Sequence, residues 1–169
     1  MTTNWLTDEQ QRSWRGLVQM TAQLETRLNR ELQDTFGLSL TDYHVLVALS
    51  EAPDTRLRMF EIAEILDWEQ SRLSHHLSRM QRRGLIDREP CRTDGRGAFV
   101  VLTDAGRATI EQAAPTNVNT VRGLVFDGLS PDKVAALTAI TAHVLERLHT
   151  QPAEPDQPAS QAEATRSPT

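Results

Sequence analysis

The sequence predicts a mainly α-helical chain that carries one small β-wing. Three observations lead there. Apolar residues recur at three- and four-residue steps along long stretches, the signature of amphipathic helices. Two short β-rich runs, 85–88 and 99–102, flank a polar, glycine-bearing tip. Proline-rich polar sequence without larger aliphatics is confined to the last twenty residues, 150–169.

Taken in order, residues 8–36 read as one long helix, with Trp14, Leu17, Thr21, Leu24, Leu28 and Leu32 on one stripe and Gly37 ending it. Thr41 is the expected N-cap of a second helix through about Ser50, carrying Tyr43, Val45, Leu46 and Leu49. Ala52-Pro53-Asp54 breaks it. Arg56-Leu57-Arg58 alternates as a short strand. Met59 to Leu66 is a short helix burying Ile62, Ala63 and Leu66, and Asp67-Trp68 is a turn. A further helix runs from Glu69 or Gln70 to Arg83, stopped by Gly84. Leu85–Arg88 and Phe99–Leu102 are strands joined by a hairpin tip, Pro90–Gly97. Thr103 caps a fifth helix to about Phe126, with Ile110, Ala114, Val118, Val121 and Val125 on one side and an expected kink at Pro115. Ser130-Pro131 opens a last helix whose stripe is Val134, Leu137, Thr141, Val144 and Leu148. The tail from Thr150, with four prolines and no aliphatic larger than Ala, is expected to stay disordered.

This order is a winged helix-turn-helix, residues 37–107, between terminal helices, 8–36 and 108–149. Within it a core of about 55 residues, 52–107, is marginal alone. The end helices carry more apolar stripe than so small a body can cover, which predicts a homodimer joined through them.

Composition narrows the function. No run approaches the roughly 18 apolar residues of a membrane span. The start, MTTNWLTDEQQRSW, has neither the basic patch nor the apolar core of a signal peptide. The single Cys91 cannot form an internal disulfide, in keeping with a cytoplasmic protein. Net charge is −5, yet Gln70 to Gly97 holds seven arginines against three acids, so this segment is +4 and the remainder −9. A basic island on an acidic body suits one-faced binding of a polyanion.

The helix from Gln70 to Arg83 explains how. Leu73, Leu77 and Met80 share a core-facing stripe. The other side presents Gln70, Ser71, Arg72, Ser74, His75, Ser78 and Arg79, groups suited to base edges and phosphates in the major groove of double-stranded DNA. Arg96, flanked by Gly95 and Gly97 at the hairpin tip, is placed to enter a minor groove, and Arg92 to meet a phosphate. Arg82 and Arg83 read equally as contacts or as solvated charge. Against these stand a plain solvated helix face and an ordinary surface pair worth under about 1 kcal/mol.

Two stretches resemble the MarR (multiple antibiotic resistance regulator) family of winged helix-turn-helix transcription regulators. One runs from Glu69 through Ser74, His75, His76, Leu77, Arg79, Arg83 and Gly84 to Ile86, similar to the family's recognition helix and strand entry. The other is Asp94-Gly95-Arg96 followed by Val101-Leu102-Thr103-Asp104-Ala105-Gly106, which looks like the family's wing signature. The resemblance covers residues 8–149. It implies a two-fold dimer built by the first, fifth and sixth helices, a near-palindromic operator, a regulator that is usually a repressor, and often release of DNA by a small phenolic or other anionic effector. It also implies that Asp94 fixes the direction of an arginine. The family's effector crevice suggests Trp14, Tyr43 and His44 as a stacking wall and polar handles, though all three read equally as core.

Other chemistry finds no support. There is no phosphate-binding glycine loop, nucleophile elbow or paired-carboxylate pattern, so no enzyme, catalytic residue or cofactor is expected. His75 and His76 point about 100° apart on a helix and do not chelate a metal. Cys91 beside Arg92 reads as an incidental thiol, because family members that sense oxidants place theirs in the first helix. A protein-interaction module on the same scaffold would have little use for Arg79 and Arg96.

Overall fold

The structure is a computed structural model that describes residues 5–90 and 98–150. Cys91, Arg92, Asp94 and Arg96, and the tail beyond Thr150, lie outside the described residues. The chain divides into two compact units, Met1–Val125 and Phe126–Thr169.

The first unit begins with α1 (Asp8–Phe36), opened by Thr7 in a capping box with Gln10 and closed by Gly37 at φ 64°. Leu38 N–H reaches back to Leu32 O, tying off the end. Helix α2 spans Leu40–Glu51. Its cap is Ser39, not the expected Thr41: Ser39 Oγ accepts from Asp42 N–H at 3.0 Å while Asp42 Oδ2 accepts from Ser39 N–H at 2.9 Å. Reciprocal bonding satisfies two orphan donors, which a lone Thr41 hydroxyl would not. A 3-10 turn at Pro53–Thr55 leads into β1 (Arg56–Arg58).

Helices α3 (Met59–Leu66) and α4 (Gln70–Arg82) form the helix-turn-helix pair. Asp67 in the left-handed region ends α3, and Gly84 at φ 73° follows α4. Strands β2 (Ile86–Pro90) and β3 (Ala98–Leu102) complete an antiparallel sheet ordered β1-β3-β2, with Ile86 opposite Leu102 and Leu57 opposite Val100. Arg56 and Arg58 both lie over the Phe99 ring, at 4.9 and 4.4 Å.

Helix α5 (Asp104–Val121) starts from Thr103, whose hydroxyl accepts from Gly106 N–H at 2.9 Å and donates to Gly84 O at 2.7 Å. A methyl on Gly106 would collide with the Leu85 carbonyl, so only glycine lets α5 approach β2 this closely. The helix continues through Pro115. The departure from α geometry comes later, as a π-turn at Arg122–Phe126. Pro115 and Glu111, whose carbonyl loses its partner there, are both exposed, so water can satisfy that group.

One core joins these elements. Leu32, Leu46, Leu49, Ile62, Leu77 and Ile86 are fully enclosed in it, with Ile110 and Ala113 of α5 buried alongside. Helix α1 contributes only its C-terminal half. Every residue from Asp8 to Gln23 is exposed, including Trp14, Leu17, Val18 and Met20. In the second unit the described element is α6 (Pro131–Thr150), which has no buried residue; Ile140, Val144, Leu145 and Leu148 are exposed. No helix among the described residues is long and apolar enough to cross a membrane.

Candidate nucleic-acid interface

The sequence of α4 sorts its side chains by angle around the helix. Leu73, Leu77 and Met80 have no exposed surface and His76 is buried beside them. At about 100° per residue, Arg72, His75 and Arg79 fall on one outward stripe, and all three are exposed. Gln70 and Ser71 are exposed next to it, whereas Ser74 and Ser78 lie half-buried on the flank. Seven of the ten residues expected to meet DNA are thus gathered on one helix face. Arg92, Asp94 and Arg96 lie outside the described residues.

Several supports hold this face. Arg88 on β2 turns under the helix, its Nη2 donating to Ser74 O at 3.3 Å and Ser78 Oγ at 3.2 Å. Ser78 Oγ in turn donates to Ser74 O at 2.8 Å, so this serine is committed within the fold. Arg72 lies 4.1 Å over the Trp68 ring, and Trp68 meets His76 edge-on with centroids 5.6 Å apart. Glu69, at the N-cap position of α4, makes no side-chain cap bond, and the first turn contains no acid.

The deepest support is a buried charge that the sequence gives little hint of. Asp42, in the first turn of α2, is 4% exposed. Its Oδ1 lies 2.9 Å from His76 Nε2, a short but bent contact rather than an aligned hydrogen bond. Its Oδ2 accepts from Arg83 Nη1 at 2.8 Å. Burial by itself would raise the Asp42 pKa. Contacts from His76, the Ser39 backbone, Arg83 and the Ser39 hydroxyl outweigh it and hold the carboxyl well below the usual range. Arg83 also donates to Gly37 O at 2.6 Å, so it is a structural clamp between the ends of α1 and α4. The motif Ser39-x-x-Asp42 signals the cap, but nothing local signals the reach to His76 and Arg83.

Of the three effector candidates, Tyr43 and His44 lie ring to ring at 6.0 Å, and Trp14 stands apart. Tyr43 is core, 7% exposed. His44 beside it is exposed; surrounding atoms lower its pKa by desolvation, which the Glu25 carboxylate partly opposes. Trp14 sits eleven residues before Glu25 on α1, about 16 Å along the axis. The groove between α1 and α2 is instead polar, lined by Glu25, Asn29, Arg30 and Asp34 among others. No group of three or more His, Cys, Asp or Glu that could hold a metal occurs among the described residues.

The profile of the MarR family matches residues 36–97, which include the helix-turn-helix pair. AbsC, a MarR family transcriptional regulator from Streptomyces coelicolor, is 39% identical to this chain. The match covers 88% of this chain and 100% of AbsC at a TM-score of 0.84. The chain belongs to the MarR family. A second MarR family regulator of Streptomyces coelicolor, solved in complex with DNA, is 40% identical over 92% of this chain and 96% of its own, with TM-score 0.84. A mutant MarR from E. coli complexed with operator DNA is 27% identical over 76% of this chain and 91% of its own, with TM-score 0.68. This member of the MarR family is therefore a transcription regulator, and its family is not one of enzymes.

Proposed function

We propose that this MarR-family protein acts as a homodimer that sets one α4 per subunit into the major groove of a near-palindromic operator in double-stranded DNA. The observation that carries the reading is the outward stripe of Arg72, His75 and Arg79, flanked by Gln70 and Ser71 and backed by a packed core. Ser74, half-buried on the flank, adds to the contact surface, and Ser78, whose hydroxyl is bonded to Ser74 O and Arg88, supports it from within the fold. Outside the described residues, Arg92 and Arg96 supply phosphate and minor-groove contacts, with Asp94 fixing the arginine's direction. Two relatives more than 25% identical were solved on DNA, which supports the same partner here.

The dimer joins through residues 8–36 and 108–149. Its support is the apolar surface left uncovered on one chain: Trp14, Leu17, Val18 and Met20 of α1, and Ile140, Val144, Leu145 and Leu148 of α6. Occupancy of an operator then represses the promoter it overlaps. A small phenolic or other anionic effector would release DNA by changing the spacing of the two α4 helices, which must match about 34–36 Å of duplex. His44, exposed at the edge of α2, is the handle the single chain offers such a ligand, with Tyr43 behind it and Trp14 on a different part of the surface.

A fluorescence anisotropy titration tests the core of this reading. The duplex best retained by the protein from a randomised pool should bind with strong salt dependence and far above a random duplex. Arg79→Ala and Arg96→Ala should each weaken it by roughly 1–3 kcal/mol. Equal, salt-insensitive binding to both duplexes would overturn it.

A further inference from the structure

We propose that His76, backed by Asp42, is a positioning residue that presets the DNA-facing Arg79. The inference rests on the reading of Arg79 as a DNA contact and adds what holds that arginine in place. His76 occupies the seam of α4 between the enclosed Leu73–Met80 stripe and the exposed stripe, and only 6% of it is accessible. Its two ring nitrogens face in opposite senses. Nδ1 is 3.0 Å from Arg79 Nη2 and Nε2 is 2.9 Å from Asp42 Oδ1.

The chemistry fixes the direction of this chain. A guanidinium has only donors, so Nδ1 must accept from Arg79. With Nδ1 accepting, the ring N–H sits on Nε2, in the short, bent contact with Asp42 Oδ1. Asp42 is itself held in the cap of α2 by Ser39 and tied to the end of α4 by Arg83, which fixes the anchor. The Trp68 ring packs against the imidazole in a T-shaped contact, 5.6 Å between centroids. A long arginine otherwise loses much of its rotamer freedom when it is immobilised on a ligand. Tethering one guanidinium nitrogen to a buried ring removes part of that loss before DNA arrives, while the side chain as a whole stays exposed. Arg79 keeps its charge and its exposure; what His76 gives it is direction.

A double-mutant cycle on the full chain tests this, using the duplex retained by the wild-type protein from a randomised pool and a random duplex of equal length. Arg79→Ala should weaken binding to the retained duplex about tenfold. His76→Leu should weaken it about threefold to tenfold, with a smaller loss on the random duplex. In the Arg79→Ala background His76→Leu should change affinity by less than about twofold, since its route to DNA is gone. His76→Gln, which can donate to Asp42 and accept from Arg79, should recover most of the loss. A His76→Leu effect of equal size in both backgrounds would show that His76 serves the fold alone and overturn the proposal. An Arg79→Ala protein with wild-type affinity would overturn the DNA-contact reading and the proposal with it. Ring nitrogen NMR of the wild-type protein gives an answer that needs no variant to fold. The Nε2-protonated tautomer of His76 is expected, and the Nδ1-protonated tautomer contradicts the relay.

Discussion

Arg83 Nη1 donates to Asp42 Oδ2 at 2.8 Å, joining residues 41 positions apart and locking the end of α4 to the start of α2. Asp42 is almost wholly enclosed while the Arg83 side chain is 41% exposed, so the carboxylate is the member that depends on the pair. Its pKa in the folded chain lies below the unfolded value of about 4. Stability from a depressed carboxylate is fully present above the unfolded pKa and fades as pH falls toward the folded one.

The first prediction follows from that direction. Between pH 7 and about pH 4 the denaturation midpoint should change little on Asp42's account, and below pH 4 it should fall. Asp42→Ala should lower stability at pH 7 by about 2 kcal/mol, the scale of hydrogen bonds to a charged group. It should also flatten the acid limb. Urea titrations at pH 7 and pH 3 check both, and an unchanged acid limb in the variant would remove Asp42 from the account.

Gly106 gives the second. Because a methyl there meets the Leu85 carbonyl, Gly106→Ala forces α5 away from β2 or distorts the Thr103 cap. The expected loss is about 1–3 kcal/mol, the range of overpacked sites, despite alanine's better helix propensity. A thermal melt that is unshifted or raised would show that the approach is looser than described.

The third concerns the uncovered apolar surface. Leu17 on α1 and Val144 on α6 are exposed in the single chain. Leu17→Asp and Val144→Asp should each weaken dimerisation at least about tenfold, because a carboxylate buried in an apolar contact loses its hydration. The fold of each chain should remain intact, since neither side chain belongs to the core. Light scattering across a dilution series, with far-ultraviolet circular dichroism as control, reads the two effects separately.

What the sequence reveals and what it hides differ by distance along the chain. Leu73, Leu77 and Met80 announce the buried side of α4 because three- and four-residue spacing is a local signal, and all three are fully enclosed. Gly37 and Gly84 mark helix ends for an equally local reason, a left-handed backbone. The Ser39 cap is within reach too, since Ser-x-x-Asp is a capping pattern with a short acid, but Thr41 stands nearer the apolar run. Arg83 reads as either contact or solvated charge because its partners, Asp42 and the Gly37 carbonyl, are more than forty residues away. Arg88 is legible as charge but not as the prop beneath Ser74 and Ser78, which only strand-to-helix packing reveals. Tyr43 and His44 adjoin at 6.0 Å, but Trp14, which shares their aromatic chemistry, lies elsewhere on α1.

The most direct test of the central claim is the mass of the DNA complex. Sedimentation velocity of the full chain with the duplex retained from a randomised pool, at rising salt, counts subunits on bound DNA. Two chains per duplex, dissociating as salt increases, is the predicted result. A single chain per duplex, or a complex that forms equally with random DNA and ignores salt, would contradict it.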